Sequence, residues 1–494
     1  MMMRLKMVQD VERPGVRSAG RGLFGRLGRG LVAAATLAAL MAPAAQADTL
    51  ADALAGAYNT SGLLEQNRAL LRAADEDVAS AVARLRPIIN WSTDVTRTYN
   101  RRSGNVGGIG GVGNGSSGAT NLNAGITAQW LLYDFGGSRL GIDAAKELVL
   151  ATRQSLIGIE QQVLLRAVQA YMNVVRNTRF VTLRQNNVRV ISESLRAAQD
   201  RFEVGEVTRT DVAQAEARLS LARSDLALAR GDLEQAIEEY VAVVGKRPGS
   251  LSQPPSPPRL TRTEDTAKQV ALRTHPEMLA AQFNVSAAKI NVLVAEAAMK
   301  PTISLDATLG LNEQLNGSTT TETGTLGVRI GGPIYQGGAL SSAKRSAYAQ
   351  RDAQLGVLHQ TRDQIRQNVG VAYAILESAR ASSVASAEQV RAGRIAFEGV
   401  NEEANLGART TLDVLDAEQE FLDAQANQIS AEADLVIAAY AVLESTGELT
   451  VRDLNLAVQT YDPAAYYNLV NEAPAALSER GKALDRVLRK IGNQ

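Results

Sequence analysis

The 494-residue chain carries 52 basic and 52 acidic side chains, is only 4% aromatic, and contains 41 Gly, two His and no Cys. So few aromatics argue against several conventional compact cores, which draw much of their buried area from such side chains. Without Cys there is no disulfide framework, no thiol metal site and no cysteine to carry a lipid, and the isolated His275 and His359 offer no metal or catalytic cluster.

The first predicted element is a removable secretion signal over residues 1–47. Arg17, Arg21, Arg26 and Arg29 form its basic region, residues 31–42 its apolar region, and Ala45-Gln46-Ala47 a cleavage site before Asp48. About twelve apolar residues are too few to span a bilayer as a helix. The charged lead-in is long, so Met3 and Met7 also qualify as starts. Removing the signal leaves 45 basic and 50 acidic side chains, a net charge of −5. That surface has no basic patch for a nucleic acid partner. No apolar run of the mature chain reaches membrane-helix length, so entry into a membrane is expected through strands.

Residues 48–246 read as a first repeat. A helix over 48–84 stops before Pro87, and a β-hairpin spans 88–134. A long helix follows over 137–203, with Leu156, Ile159, Val163, Ala167, Ala170 and Val174 at helical spacing. Gly205 forms a turn, and a second helix runs over 209–246. A Pro-rich linker over 247–263 contains Pro254-Pro255-Ser256-Pro257-Pro258, which fits neither helix nor central strand. Residues 264–449 repeat the plan: a helix to about 299, a hairpin over 301–335, a long helix over 339–404, a turn at Gly407 and a helix over 410–446. Residues 450–494 form a C-terminal equatorial segment and tail.

The duplication is visible residue by residue. Phe202-Glu203-Val204-Gly205 with Asp211-Val212 matches Ala404-Asn405-Leu406-Gly407 with Asp413-Val414, and Tyr133 matches Tyr335 at the same offset. Each long helix is about 100 Å long at 1.5 Å per residue, with narrow Ala-rich seams that suit coiled-coil packing.

The strands carry the membrane signal. Residues 121–132 alternate, with Leu122, Ala124, Ile126, Ala128, Trp130 and Leu132 on one face, and residues 301–311 do the same through Ile303, Leu305, Ala307, Leu309 and Leu311. Weaker alternation occurs over 89–99, where Arg97 breaks the apolar face, and over 325–334. Ten-residue alternating segments suit transmembrane barrel strands, although a half-buried soluble sheet has the same pattern. Trp91, Trp130 and Tyr133 at the helix-side end of the first hairpin fit an interfacial girdle, and the polar tips over 100–120 and 312–322 fit extracellular loops. Four strands cannot close a barrel, and open edges are not tolerated in lipid. Three copies give twelve strands and a coaxial helical tube.

The run Leu406-Gly407-Ala408-Arg409-Thr410-Thr411-Leu412-Asp413-Val414-Leu415-Asp416-Ala417 is similar to the periplasmic-turn motif of the TolC family of outer-membrane channels. The resemblance covers nearly the whole mature chain. It implies a homotrimer in the outer membrane of a Gram-negative bacterium: a twelve-stranded barrel continued by a periplasmic α-helical barrel. It also implies a periplasmic adaptor protein, an inner-membrane pump of RND, ABC or MFS type, and a duct that does no chemistry and needs no cofactor. In the family, the aspartates matching Asp413 and Asp416 line the entrance. The residues matching Arg409 and Asp211 take part in the latch that holds it shut. A latch tyrosine corresponds here to Ala404, a departure that leaves the closed-state network open.

A competing reading applies to two of these residues. Thr410-x-x-Asp413 and Thr208-x-x-Asp211 are capping boxes, which place a carboxylate at a helix N-terminus without any gate. Asp416 lies beyond the first turn and its repeat counterpart is Gln214, while Arg409 matches Val207, so neither is required by the duplication. Two function classes stand beside the efflux or secretion duct: a non-conducting periplasmic coiled-coil scaffold, which the barrel-patterned hairpins disfavour, and an enzyme, for which no catalytic cluster or phosphate-binding glycine loop is present. Cargo is not readable; with Met172, Met278 and Met299 alone after the signal, a soft-metal relay is disfavoured.

Overall fold

A computed structural model describes residues 48–102, 115–251, 256–260 and 262–491. The secretion signal over 1–47 lies outside them, as do much of the first hairpin tip and part of the proline linker.

The first predicted helix is two: α1, Leu50–Thr60, and α2, Gly62–Ala83. Ser61 takes extended backbone between them, and its hydroxyl accepts from Leu64 N, so one residue ends one helix and caps the next. After β1 (Ile88–Arg102), β2 (Gly115–Tyr133), α3 (Gly137–Glu203) and α4 (Arg209–Val244), the second half breaks its first helix in the same way. There α5, Glu264–Thr274, and α6, Pro276–Ala297, are separated by His275, which is held extended before the proline and whose Nδ1 accepts from Glu277 N. The chain continues through β3 (Thr302–Gln314), β4 (Thr320–Gly331), α7 (Ala339–Asn405), α8 (Thr411–Ser445), α9 (Ala465–Val470) and α10 (Glu479–Ile491).

The stretch Glu264–Ala297 reaches a mean hydropathy of 1.3 in its best window, enough by length and composition alone to cross a membrane, although no run within it is apolar throughout. Its apolar content includes small side chains such as Ala280, Ala281 and Ala287, buried where α6 lies against α3 and α7.

All four strands form one antiparallel sheet in the order β1-β2-β3-β4, leaving β1 and β4 as edges. The register separates two faces. Trp91 opposes Ile126, Val95 opposes Leu122, Trp130 opposes Leu305 and Leu305 opposes Val328, so the apolar residues of neighbouring strands share a face. On the other face Asn123 stands between Asp94 and Asn312, donating its Nδ2 to the Asp94 carboxylate at 2.9 Å and accepting from Asn312. The apolar face is uncovered: Trp91 is 78% exposed, Leu326 75% and Ile330 70%. The second hairpin tip is shorter than its polar composition suggested, because β3 and β4 pair through Glu313 and Thr320. Asn316 then ties the loop to β2, accepting from Thr120 N at 2.8 Å and donating to Gly118 O at 2.6 Å.

Below the sheet, α1, α2, α3, α4 and α8 share one core around Tyr171, Tyr240, Leu164 and Leu71. The C-terminal segment joins it through Leu449 and Val451, and Val451 N donates to the Glu160 carboxylate at 2.7 Å. Beyond the core, α7 packs on α8, α8 on α3, and α3 on α4, with α4 and α7 at the two sides of the layer. Burial along the long helices is sparse and periodic, as narrow coiled-coil seams require.

Candidate functional site

The site expected from the sequence is the far end of the helices, where each repeat turns back. Gly205 and Gly407 adopt left-handed backbone, with φ of 81° and 75°. The amides that follow, Glu206 N and Ala408 N, donate back to Arg201 O and Glu403 O, each at 2.9 Å. These are glycine-terminated helix ends in which the freed carbonyls find partners at once. A Cβ at either glycine would meet open space, so the glycine is required by the φ angle alone. Arg201 Nη2 reaches Asn405 Oδ1 at 3.2 Å, which sets the two turns side by side.

The next helix of each repeat starts with a capping box. Thr410 N and Oγ1 both donate to Asp413 Oδ2 at 2.9 Å, and Asp413 N returns a bond to Thr410 Oγ1 at 3.2 Å. Asp211 does the same with Thr208, at 2.8 Å for both bonds to its carboxylate. The amide of the capping threonine, followed by its hydroxyl, holds each carboxyl below its ordinary value. Both aspartates are therefore capping-box partners of those threonines, whatever else they do.

Arg409 and Asp211 do not pair with each other within one protomer. Arg409 Nε bonds Glu403 Oε2 at 2.8 Å inside its own turn, and Glu403 also holds the guanidinium firmly protonated. The charged link between repeats falls elsewhere. Arg218 of α4 places Nη2 2.6 Å from Asp416 Oδ1 of α8. Asp416 is thus committed to an ion pair that joins the first repeat to the second, although its carboxylate stays half-exposed.

Two residues further on lies a group the sequence reading passed over. Glu418 is buried between α8 and α3, where its Oε1 accepts from Asn187 Nδ2 at 3.2 Å and its Oε2 has no hydrogen-bond partner among the described residues. Burial pushes this carboxyl up to about 7, against a smaller lowering by the Asn187 amide. A signal was available: Leu415, Glu418 and Leu422 fall at the a/d spacing of a coiled-coil seam, where an acid is out of place. Arg218 and Asn187 had no such signal, since nothing in their own helices marks which partner faces them.

Three carboxylates in the first turns of α8 therefore stand in three different states. Asp413 completes the capping box, Asp416 is ion-paired, and Glu418 is buried with half its hydrogen bonds unmade. At the opposite end of the chain, Trp130 Nε1 donates to Leu85 O at 3.0 Å, fixing it at the junction of helices and sheet. Tyr133 packs there against Phe135 at 4.8 Å. Trp91 opposes Ile126, four residues further up β2 than Trp130, so the two tryptophans are separated along the sheet.

The family model described as outer membrane efflux protein matches residues 55–246 and 268–448. The chain is 36% identical over 447 residues to the outer membrane efflux protein BepC of Brucella suis, covering 90% of this chain and 95% of BepC. It is 24% identical to the outer membrane protein TolC of Vibrio cholerae, covering 67% and 78% of the two chains. Its fold matches the CmeC outer membrane channel of Campylobacter jejuni with a TM-score of 0.71 at 16% identity, covering 86% and 90%. The chain belongs to the outer membrane efflux protein family, a family of channels, and it is an exit duct of the Gram-negative outer membrane.

Proposed function

We propose that three copies of this chain form one duct, a twelve-stranded barrel continued by a helical tunnel, with the glycine turns at its periplasmic entrance. The observation that carries the reading is the isolated four-stranded sheet, with β1 and β4 as edges and one face apolar and uncovered. Such a sheet is untenable in lipid until further copies pair both edges. The same closure lines the interior with the polar face built on Asp94, Asn123 and Asn312. Trp91, Trp130 and Tyr133 then face the lipid and its interface, as aromatic girdles do.

The tip serves as the gate. Asp413 and Asp416 supply its negative charge, and Arg218 links the two repeats across it from within one copy. Arg409 and Asp211 are held in their own turns by exposed bonds worth little individually, so both can exchange partners between neighbouring copies as a latch. Energy comes from outside the duct: a periplasmic adaptor protein docks on the helices and connects them to an inner-membrane pump of RND, ABC or MFS type.

The test is the mass of the mature chain, beginning at Asp48, in mild detergent, together with conductance in planar bilayers. Three copies and discrete conductance steps are expected. A monomer that conducts would overturn the closure argument, and a trimer that never conducts would replace the duct with a scaffold.

A further inference from the structure

The duct as described makes no use of Glu418, yet burying a carboxyl with one oxygen unmatched is costly. It is 6% exposed, as is Asn187 across the α8–α3 seam. Ionised, it has a single neutral donor. Protonated, it gains an O–H that the Asn187 amide oxygen can accept while Nδ2 continues to donate to Oε1, a two-bond acid–amide pair.

The surrounding charges do not compensate it. On α3, Arg184 is paired with Asp225 of α4 and Arg189 with Glu193. On α4, Arg218 is paired with Asp416, and Glu216 and Arg223 lie on the same stretch. On α7, Arg391 is paired with Glu388, Arg394 lies 5.8 Å from the Phe421 ring, and Glu398 follows. On α8 itself, Gln419 and Glu420 are the next residues. None of these acts on the Glu418 carboxyl as a charge; burial and the Asn187 amide account for its behaviour.

Glu418 sits two residues past Asp416 on the helix whose first turns carry the entrance carboxylates. We infer that Glu418 is a proton-operated positioning residue: protonated, it clamps the start of α8 onto α3 and holds the entrance narrow; ionised, it loosens that seam. The inference rests on the tip being the entrance of a conducting duct. The sign follows from linkage. The clamped carboxyl titrates near 7 and a solvated one near 4.5. The clamp is therefore at full strength below pH 4.5, weakens as pH rises from 4.5 to 7, and is constant above.

The experiment uses the full mature trimer in planar bilayers from pH 4.5 to 8, comparing the unmodified channel with Glu418→Gln. Gln keeps the shape and the amide pairing but cannot ionise. Open probability in the unmodified channel is expected to rise with pH, by roughly a hundredfold for each copy that must release its clamp across the range, from the linkage relation. The Glu418→Gln channel should stay at the acid value throughout, with single-channel conductance unchanged. A Glu418→Gln channel that keeps the unmodified pH profile would overturn the inference, because other buried acids, such as Asp75 with its carboxyl pushed up to about 6, would then be responsible. Infrared difference spectra give a second readout: a carboxylic-acid band titrating near pH 7 and absent in Glu418→Gln. The band present with pH-independent gating would overturn the positioning role, and its absence would overturn the buried acid. A chain that never conducts would instead remove the duct, and this inference with it.

Discussion

Replacing Arg218 by Gln removes the one ion pair found between α4 and α8 among the described residues, leaving the caps and the glycine turns untouched. The pair is short, at 2.6 Å, but its side chains are 31% and 55% exposed, so solvent screens it. An exposed pair of this kind is worth roughly 0.2–1 kcal/mol. Three copies opening together would lose roughly 0.6–3 kcal/mol, or about a 3- to 150-fold rise in the open-to-closed ratio. The charge effect is separate. Arg218 neutralises Asp416, so its loss exposes the full ring of Asp413 and Asp416 carboxylates and raises cation selectivity. Asp416→Asn breaks the same link while removing negative charge, so it should open the channel equally and lower cation selectivity. Bilayer recordings of open probability and reversal potential distinguish the two variants, and the double variant should open no further than either single one. Raising salt from 0.1 to 1 M, which shrinks the Debye length from about 10 to about 3 Å, should diminish the effect. Unchanged gating and reversal potential in Arg218→Gln would refute the link.

Other outcomes follow from the same geometry. Asp413→Asn leaves the N-cap Thr410 in place and keeps a side-chain oxygen that can accept from Thr410 N, without the charge, so it should keep the fold while weakening block by periplasmic multivalent cations; retained block would leave Asp413 as a capping-box partner only. Leu221 and Leu228 stand one heptad apart on an exposed face of α4, so Leu221→Glu/Leu228→Glu should shift the detergent mass from trimer toward monomer, each leucine losing about 1.5–3 kcal/mol of burial between copies. A trimer of undiminished stability would place the interface elsewhere.

Much of the architecture was legible because it depends on local chemistry. The 3.6-residue spacing of small apolar side chains specifies the long helices, the glycines at 205 and 407 are where the backbone goes left-handed, and the threonine–aspartate pairs cap as their spacing demands. Period-two alternation likewise specified two faces of one sheet. The break at Ser61 was hidden because a short polar residue can sit within a helix as well as cap one. The matching break at His275 was announced by Pro276 and overlooked in an otherwise helical pattern. The pairings Arg218–Asp416 and Asn187–Glu418 depend on the rotation of one long helix against another, which no local spacing fixes. Glu418 alone betrayed itself, as an acid in an apolar seam.

The most direct measurement of the account is single-channel current through the purified mature chain in a planar bilayer, on a sample whose mass has been determined in the same detergent. A trimer with stepwise, cation-selective currents that open further on Arg218→Gln is the predicted result. A trimer whose conductance is indifferent to every change at the tip would contradict the assignment of the glycine turns as the entrance.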